Sequence, residues 1–182
     1  MNNIVFIGGI YGVGKTTVAN ALLEMDSRLG YMRASQLLFD ADPSVQRATK
    51  YSHDDLAYNQ GLIADEALKR IEAGKLYLFD GHFSFINKTE DGVELPPFSY
   101  FEKLNPILFV ILTEDVSVIH ERLKKRDDYH YGQDFLELMQ KEELKEAQSV
   151  SEKLGTPLYN LIGDNTKTDG LEERIVELLN KL

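Results

Sequence analysis

The sequence predicts an α/β fold with a five-stranded parallel sheet between two layers of helices. Short apolar runs alternate with segments whose apolar residues recur at helical spacing through most of the 182 residues, a pattern typical of doubly wound sheets. The run 107–112 contains only apolar residues, as expected for a central strand buried on both faces. A glycine-rich loop separates the first apolar run from the first helical segment. The length suits a single domain over residues 1–182.

Apolar runs define the strands, which are predicted at residues 4–8, 31–34, 76–80, 107–112 and 158–162. Apolar spacing defines the helices, which are predicted at residues 15–29, 54–73, 98–104, 116–123, 134–154 and 169–182. Gly30 and Gly74 are interpreted as helix stops, and Asp115 as the cap of a helix. Residues 35–50 are interpreted as mixed, because apolar residues at 37–39 are followed by Asp40, Asp42 and Pro43, which break any long helix. Turn-forming residues predict a loop in 84–97.

Composition excludes several classes of partner. The formal net charge is −10, which argues against a broad basic face for nucleic acid or an anionic membrane. The chain has no cysteine, so disulfides and cysteine-ligated metals are excluded. Apolar runs are far shorter than the about 20 residues of a membrane span, and the first run is too short for a signal peptide. We therefore expect a cytoplasmic protein with a small-molecule partner, no nucleic acid and no membrane; the oligomeric state is not indicated.

The most specific motif is the stretch 9–16, which matches G-x-x-x-x-G-K-T. It lies between a predicted strand and a predicted helix, the context in which this motif indicates a phosphate-binding loop. Its backbone N–H groups and the helix N-terminus attract phosphate oxygens, Lys15 is placed to reach the terminal phosphates, and Thr16 is placed to bind Mg²⁺. The predicted nucleotide contacts are Gly9, Tyr11, Gly12, Val13, Gly14, Lys15, Thr16 and Thr17. A glycine-rich turn with a solvated lysine is the alternative.

Asp80 ends the third predicted strand, at the sheet edge where parallel sheets bind ligands. An acid at this position typically orients Mg²⁺ beside a phosphate loop. Thr16 would bind the metal directly and Asp80 through water, because Mg²⁺ keeps several of its waters. The predicted cofactors are therefore ATP and Mg²⁺, with Thr16 and Asp80 as metal ligands. The alternative is an aspartate that only caps a turn.

Arg122 and Arg126 lie four residues apart on one predicted helix, so they share a face. Guanidinium groups bind phosphoryl oxygens in bidentate fashion. Both arginines, with Lys15 and Asp80, are the predicted catalytic residues, and residues 126–133 are predicted to form a short lid. The alternative is a solvated helix face that pairs with nearby acids.

Residues 35–60 are interpreted as an insertion that binds the acceptor. Arg33, just before it, and Arg47, within it, are candidates for binding an acceptor phosphate, although surface arginines would fit the pattern equally well. Gln36 is a candidate for contact with a base edge or a sugar hydroxyl. His82 follows Asp80 by two residues and is expected to face the same cleft.

Gly163 and Asp164 follow the last predicted strand at the ligand edge. Backbone groups in this segment are candidates for contact with the adenine of the nucleotide. An ordinary strand-to-helix turn is the alternative interpretation.

Several stretches together resemble the small archaeal-type adenylate kinases and their relatives among the P-loop nucleotide kinases. The similar stretches are 9–17 (their phosphate loop), 80–82 (their Asp-Thr-His, with Gly81 in place of threonine), 95–97, 103–106 and 122–127 (their lid start). These stretches run almost end to end. The resemblance implies a three-layer sandwich with a short lid and phosphoryl transfer from ATP to a nucleoside monophosphate.

Two other functions remain open. One is a kinase of a nucleoside or another small hydroxyl compound, with Asp80 or His82 as the base. The other is a nucleotide-hydrolysing switch. Residues 81–86 contain no glutamine that would position water, so the sequence favours a kinase.

Overall fold

The computed structural model describes residues 3–45, 51–87, 92–126, 131–163, 175–177 and 179–180. The elements in chain order are β1 (Ile4–Gly8), α1 (Lys15–Met25), β2 (Leu29–Arg33), α2 (Ala34–Ala41), α3 (His53–Lys69), β3 (Leu76–Asp80), β4 (Phe85–Ile86), β5 (Val93–Glu94), α4 (Phe98–Leu104), β6 (Leu108–Thr113), α5 (Val116–Arg126), α6 (Gln133–Leu154) and β7 (Leu158–Ile162). The predicted five-stranded parallel sheet is confirmed, with the order β2-β3-β1-β6-β7.

The central strand β1 separates two apolar layers, because successive side chains of a strand point to opposite faces. Val5 and Ile7 pack with α1 and α5, whereas Ile4 and Phe6 pack with α3 and α4. The helix α6 contributes to both layers, with its first turns in one and its last turns in the other. The sheet is therefore covered on both faces, as a doubly wound fold requires.

Phe6 is the centre of an aromatic cluster, and its replacement by alanine gives our first testable prediction. Its ring centroid lies 4.9–6.3 Å from the centroids of five other rings, those of Phe79, Phe83, Tyr100, Phe101 and Phe109. Phe6→Ala is expected to lower the free energy of unfolding by about 3–5 kcal/mol, because it leaves a cavity in a packed core.

Urea unfolding followed by circular dichroism measures this loss. The matched control is Phe39→Ala, since Phe39 is 55% exposed, and it is expected to change the free energy of unfolding by less than about 0.5 kcal/mol. Equal effects of the two substitutions would contradict the described core.

The second strand differs from the prediction. It spans Leu29–Arg33 rather than 31–34, and Gly30 lies inside it instead of ending a helix. The reason is packing against β3: a Cβ atom at Gly30 would lie 2.5 Å from the ring of Tyr77. Glycine is therefore required by close approach within the sheet, while α1 ends earlier, at Met25.

Two further boundaries differ from the prediction. The helix expected at 54–73 is α3, which ends at Lys69, and the Ser52 side chain caps its N-terminus by accepting a hydrogen bond from the Asp55 N–H. The segment 84–97, predicted as a loop, contains the antiparallel pair β4 and β5. These strands have only two residues each, too few for a period-2 pattern to be recognised.

Two helices also differ from the prediction. The first part of 35–50 lies in a short helix, α2, which ends at Ala41 directly before Asp42 and Pro43. The helix predicted at 116–123 continues to Arg126. Residues 175–177 are helical, and the rest of the predicted C-terminal helix falls outside the described residues or at single described positions. Within the described part of the chain, no helix combines the length and apolar character that crossing a membrane would need.

Candidate functional site

The candidate site lies at the carboxyl edge of the sheet, where β1 is flanked by β3 and β6. Ile7 of β1 is in register with Asp80 of β3, and Gly8 is in register with Ile111 of β6. The connection after β1 leads to β2 on one side of the sheet, whereas the connection after β3 leads to β6 on the other side of β1. Such a change of direction is where open α/β sheets bind ligands. The loop after Gly8 and the end of β3 are therefore neighbours in space.

The phosphate loop has the backbone conformation that its glycines predict. Gly9, Gly12 and Gly14 have φ angles of 136°, 80° and 110°, a region that other residues rarely adopt. The helix α1 begins directly after the loop, at Lys15. The N–H groups of its first turn have no partners within the helix, so they and the helix dipole favour an anion at this end.

Lys15 lies under the loop with only 7% of its surface exposed. Its Nζ donates hydrogen bonds to the carbonyl oxygens of Gly9 and Ile10. Burial lowers the pKa of Lys15, the negative charges of Asp80 and Glu143 raise it, and the positive charges of Arg126 and Arg33 lower it further. The two acids therefore favour the charged form of Lys15, whereas burial and the two arginines disfavour it.

Thr16 and Asp80, the two predicted metal ligands, lie together at the mouth of the loop. The Thr16 hydroxyl donates to Oδ2 of Asp80 at 3.4 Å. The same oxygen accepts a shorter hydrogen bond, 2.8 Å, from the hydroxyl of Tyr31. Tyr31 was not a sequence candidate; it reaches the site because β2 pairs with β3 so that Arg33 and Asp80 are in register.

Arg122, a residue of α5, lies against the phosphate loop. Its Nη1 donates to the carbonyl oxygen of Val13 at 3.3 Å, and its Nη2 pairs with Oε2 of Glu114 at 3.2 Å. The side chain of Glu114 is only 5% exposed, whereas that of Arg122 is 45% exposed. The buried acid thus holds the guanidinium beside the loop while leaving part of it open to a ligand.

Arg126 is exposed at the last residue of α5. Its positive charge and that of Arg33 both lower the pKa of Lys15. Residues 127–130 of the predicted lid, 126–133, lie outside the described residues. Arg47 and Asp164 also lie outside the described residues.

Gln36 and Gly163 have local contacts in the structure. The Gln36 side chain is exposed and donates to Asp40 at 2.7 Å, and Asp40 pairs with Arg70 of the turn after α3. Gly163 follows β7, and its N–H donates to the Thr113 carbonyl at 2.8 Å. A Cβ atom at Gly163 would lie 2.6 Å from Oε2 of Glu114, so this turn lies close to the acid that holds Arg122.

His82 is mostly buried, and its ring packs against that of Tyr11 in the phosphate loop at a tilt of 39°. The two ring centroids are 4.5 Å apart, and the His82 side chain is 16% exposed. Burial and the positive charge of Lys15 hold the pKa of His82 well below its ordinary value, so the imidazole is neutral at physiological pH. Its Nδ1 has no hydrogen-bond partner in the described part of the chain.

Glu143 of α6 was not a sequence candidate, yet it lies at the centre of the site. It is 1% exposed, and its carboxylate accepts hydrogen bonds from the backbone N–H groups of Gly9 and Phe83, both at 2.9 Å, and from the Ser84 hydroxyl. Burial raises the pKa of this carboxyl, while Ser84, Lys15 and the two N–H donors lower it.

One signal in the sequence marks Glu143. It occupies a position in the apolar stripe of α6, between Met139 and Ala147, where helical spacing predicts an apolar residue. A charged residue at a core position is retained only with partners. The interruption of the stripe therefore indicated a buried polar contact, although it did not indicate with which residues.

Gly81, which differs from the threonine of the adenylate kinase element, is explained by packing. A Cβ atom at this position would lie 2.5 Å from Cζ of Phe6. The ring of Phe6, at the centre of the aromatic cluster, therefore occupies the space of a side chain at position 81.

Comparisons with known proteins agree with this geometry. A family model described as "AAA domain" matches residues 5–150. A gluconokinase from Sinorhizobium meliloti 1021 has a similar solved structure, with a TM-score of 0.53 and 15% identity over 99% of this chain and 97% of that chain. No protein of curated function matches the sequence significantly. In all, 266 chains of solved structures match, so the fold is widely shared and does not by itself name a substrate.

Proposed function

The chain belongs to the AAA domain family, and from this premise we propose that it is an ATP- and Mg²⁺-dependent phosphotransferase acting on a small acceptor. The observation that best supports this proposal is the hydrogen bond from Thr16 to Asp80 at the mouth of the phosphate loop. Among the described residues there is no group of three or more acidic or histidine side chains that could hold a metal ion. Thr16 and Asp80 would therefore share Mg²⁺ with the phosphates of the nucleotide, as Mg²⁺ sites in kinases commonly do.

Mg²⁺ bound by these two residues would neutralise charge on the transferred phosphoryl group. The protein's own part is positioning and electrostatic stabilisation. The loop N–H groups from Gly12 to Thr17 hold the donor phosphates. Lys15 contacts the β- and γ-phosphates, and Arg126, assisted by Arg122, stabilises charge on the transferring group.

The first candidate acceptor is a nucleoside monophosphate, as the resemblance to adenylate kinases implies. The phosphate group of this acceptor would need positively charged side chains on the β2 side of the site. Arg33 supplies one, since it is exposed and in register with Asp80, and Arg47 is the second candidate. A phosphate oxygen of the acceptor is already a nucleophile at neutral pH, so this reaction would need no base.

The second candidate is a small hydroxyl compound, which is supported by the Asp80 carboxylate and by the structural similarity to a gluconokinase. A hydroxyl acceptor needs a base within hydrogen-bond reach. Asp80 suits this role better than His82. The hydroxyls of Thr16 and Tyr31 both bind its Oδ2 at the mouth of the loop, whereas the His82 ring is mostly buried against Tyr11. We also propose a cytoplasmic location for either reaction.

A panel of acceptors tests the proposal. The protein is incubated with Mg-ATP and nucleoside monophosphates, nucleosides, or sugar acids and polyols including gluconate, and ADP release is followed. One acceptor class is expected to raise ADP release at least about tenfold above the acceptor-free rate, because closure on an acceptor excludes water. ADP release that no acceptor accelerates would contradict a kinase, and would support a nucleotide-hydrolysing switch if it were fast.

A further inference from the structure

One turn of α6 contacts three strand ends of the site. Gln140 and Glu143 are three residues apart on this helix, so they share a face. Gln140 contacts the end of β6, and Glu143 contacts the residues that follow β1 and β3. Residues before this turn pack in one apolar layer and residues after it pack in the other. The helix therefore passes the carboxyl edge of the sheet at this turn.

Gln140 fixes the backbone of Glu114 with two hydrogen bonds. Its Oε1 accepts from the Glu114 N–H at 3.1 Å, and its Nε2 donates to the Glu114 carbonyl oxygen at 3.0 Å. The side chain of Glu114 in turn pairs with Arg122. A side chain that binds the peptide groups on both sides of one residue fixes the backbone there, so Gln140 acts on Arg122 through Glu114.

Glu143 fixes the first peptide of the phosphate loop. Its Oε1 accepts from the N–H of Gly9 and from the N–H of Phe83, and its Oε2 bonds with the Ser84 hydroxyl. An apolar residue at this position would leave two buried N–H groups without their acceptor. The carboxylate thus ties the start of the loop to the segment that follows Asp80.

We propose that Gln140 and Glu143 are positioning residues, which together fix the phosphate loop and Arg122 relative to each other so that both contact the same bound nucleotide. The inference rests on the proposed function, since it assumes that the loop binds the nucleotide and that Arg122 contacts its γ-phosphate. The two residues act on different phosphates. Glu143 acts on the loop, which binds phosphates present in both ATP and ADP, whereas Gln140 acts on Arg122, which faces the phosphate that only ATP has.

Equilibrium binding of two nucleotides, with no acceptor, tests this division. Dissociation constants are measured for Mg-ADP and for a non-hydrolysable Mg-ATP analogue. Glu143→Gln is expected to weaken both about tenfold, because a charge-assisted acceptor of two N–H groups is lost. Gln140→Met, which keeps the volume, is expected to weaken the ATP analogue about fivefold and Mg-ADP by less than about twofold.

Two variants on the same helix are matched controls. Glu142→Gln removes a partner of Lys145 at the surface, and Gln148→Met removes a partner of Glu152; both are expected to leave the two dissociation constants within about twofold of the unmodified protein. A merely structural role of the turn would lower the melting temperature and weaken both nucleotides in parallel for Gln140→Met.

The outcomes separate this inference from the proposed function. If the unmodified chain binds neither nucleotide, the proposed function and the inference both fail. If it binds them and Glu143→Gln binds equally well, or Gln140→Met affects both equally, only the inference fails. Should Glu143→Gln not fold, Ser84→Ala replaces it: it removes the Oε2 partner alone and is expected to weaken both nucleotides about threefold, and unchanged binding would overturn the inference.

Discussion

Replacement of Lys15 by methionine is expected to lower the rate of phosphoryl transfer by about 10³-fold or more while leaving the fold intact. The Lys15 ammonium is held below the loop by the carbonyls of Gly9 and Ile10, from where it is proposed to reach the β- and γ-phosphates. Its charge matters most in the transition state, where negative charge spreads over the transferred group. Methionine keeps an unbranched apolar side chain of similar length but supplies no charge.

Lys15→Met is expected to fold normally, because the buried position of Lys15 disfavours its charge. Burial lowers the pKa of Lys15, which means that the protein interior disfavours the charged form. The substitution removes the cost of burying this charge, which offsets the lost attraction to Asp80 and Glu143. We therefore expect the free energy of unfolding of Lys15→Met to stay within about 1–2 kcal/mol of the unmodified protein.

The measurements are ADP release with the best acceptor, nucleotide binding and urea unfolding. Lys141→Met is the matched control, because Lys141 is exposed on α6; it is expected to retain full activity. Activity of Lys15→Met within about tenfold of the unmodified protein would contradict the role of the loop in transfer, whatever the acceptor.

The phosphate loop could be predicted from the sequence because its function is local. Gly9, Gly12 and Gly14 set the backbone, and Lys15 follows in the same short stretch, so eight consecutive residues define both the conformation and the chemistry. The five strands could be predicted for a similar reason, since each is a short apolar run bounded by turn residues. Neither prediction depends on which segments of the chain contact each other in the folded protein.

The residues that support the loop could not be predicted, because they reach it across the fold. Glu143 lies 134 positions from Gly9 in sequence, and Tyr31 lies 49 positions from Asp80. Their contacts depend on the register of β2 with β3 and on the path of α6 across the sheet edge. Position within an element predicts which face a side chain occupies, but it does not predict the partner on the next element.

Candidates chosen because they lie near a motif in sequence have local contacts in the structure. The ring of His82, two residues after Asp80, packs against Tyr11. The amide of Gln36 bonds with Asp40 on the surface of α2. Proximity in sequence did not indicate either contact, and binding of an acceptor by these two residues stays a prediction.

Replacement of Asp80 by asparagine is expected to have the second-largest effect, a loss of about 10²-fold in transfer at ordinary Mg²⁺ concentration. Asparagine keeps the size of the side chain and an oxygen that can accept from the hydroxyls of Thr16 and Tyr31, but it removes the negative charge that attracts Mg²⁺. Tyr31→Phe is the matched control: it removes the 2.8 Å hydrogen bond to Asp80 and keeps the charge, so the loss should be less than about tenfold. Equal losses in the two variants would contradict a metal role for Asp80.

The magnesium dependence of Asp80→Asn also distinguishes the two candidate acceptors. If the acceptor is a nucleoside monophosphate, Asp80 only orients the metal. The variant then lacks no other catalytic group and only binds Mg²⁺ more weakly, so a higher Mg²⁺ concentration should restore most of the rate. If Asp80 also removes the proton of a hydroxyl acceptor, no concentration of Mg²⁺ replaces the missing base, and about 10²-fold or more of the loss should persist at saturation. The residual rate at saturating Mg²⁺ therefore reports whether the carboxylate holds a metal alone or also accepts a proton, and with it the chemical class of the acceptor.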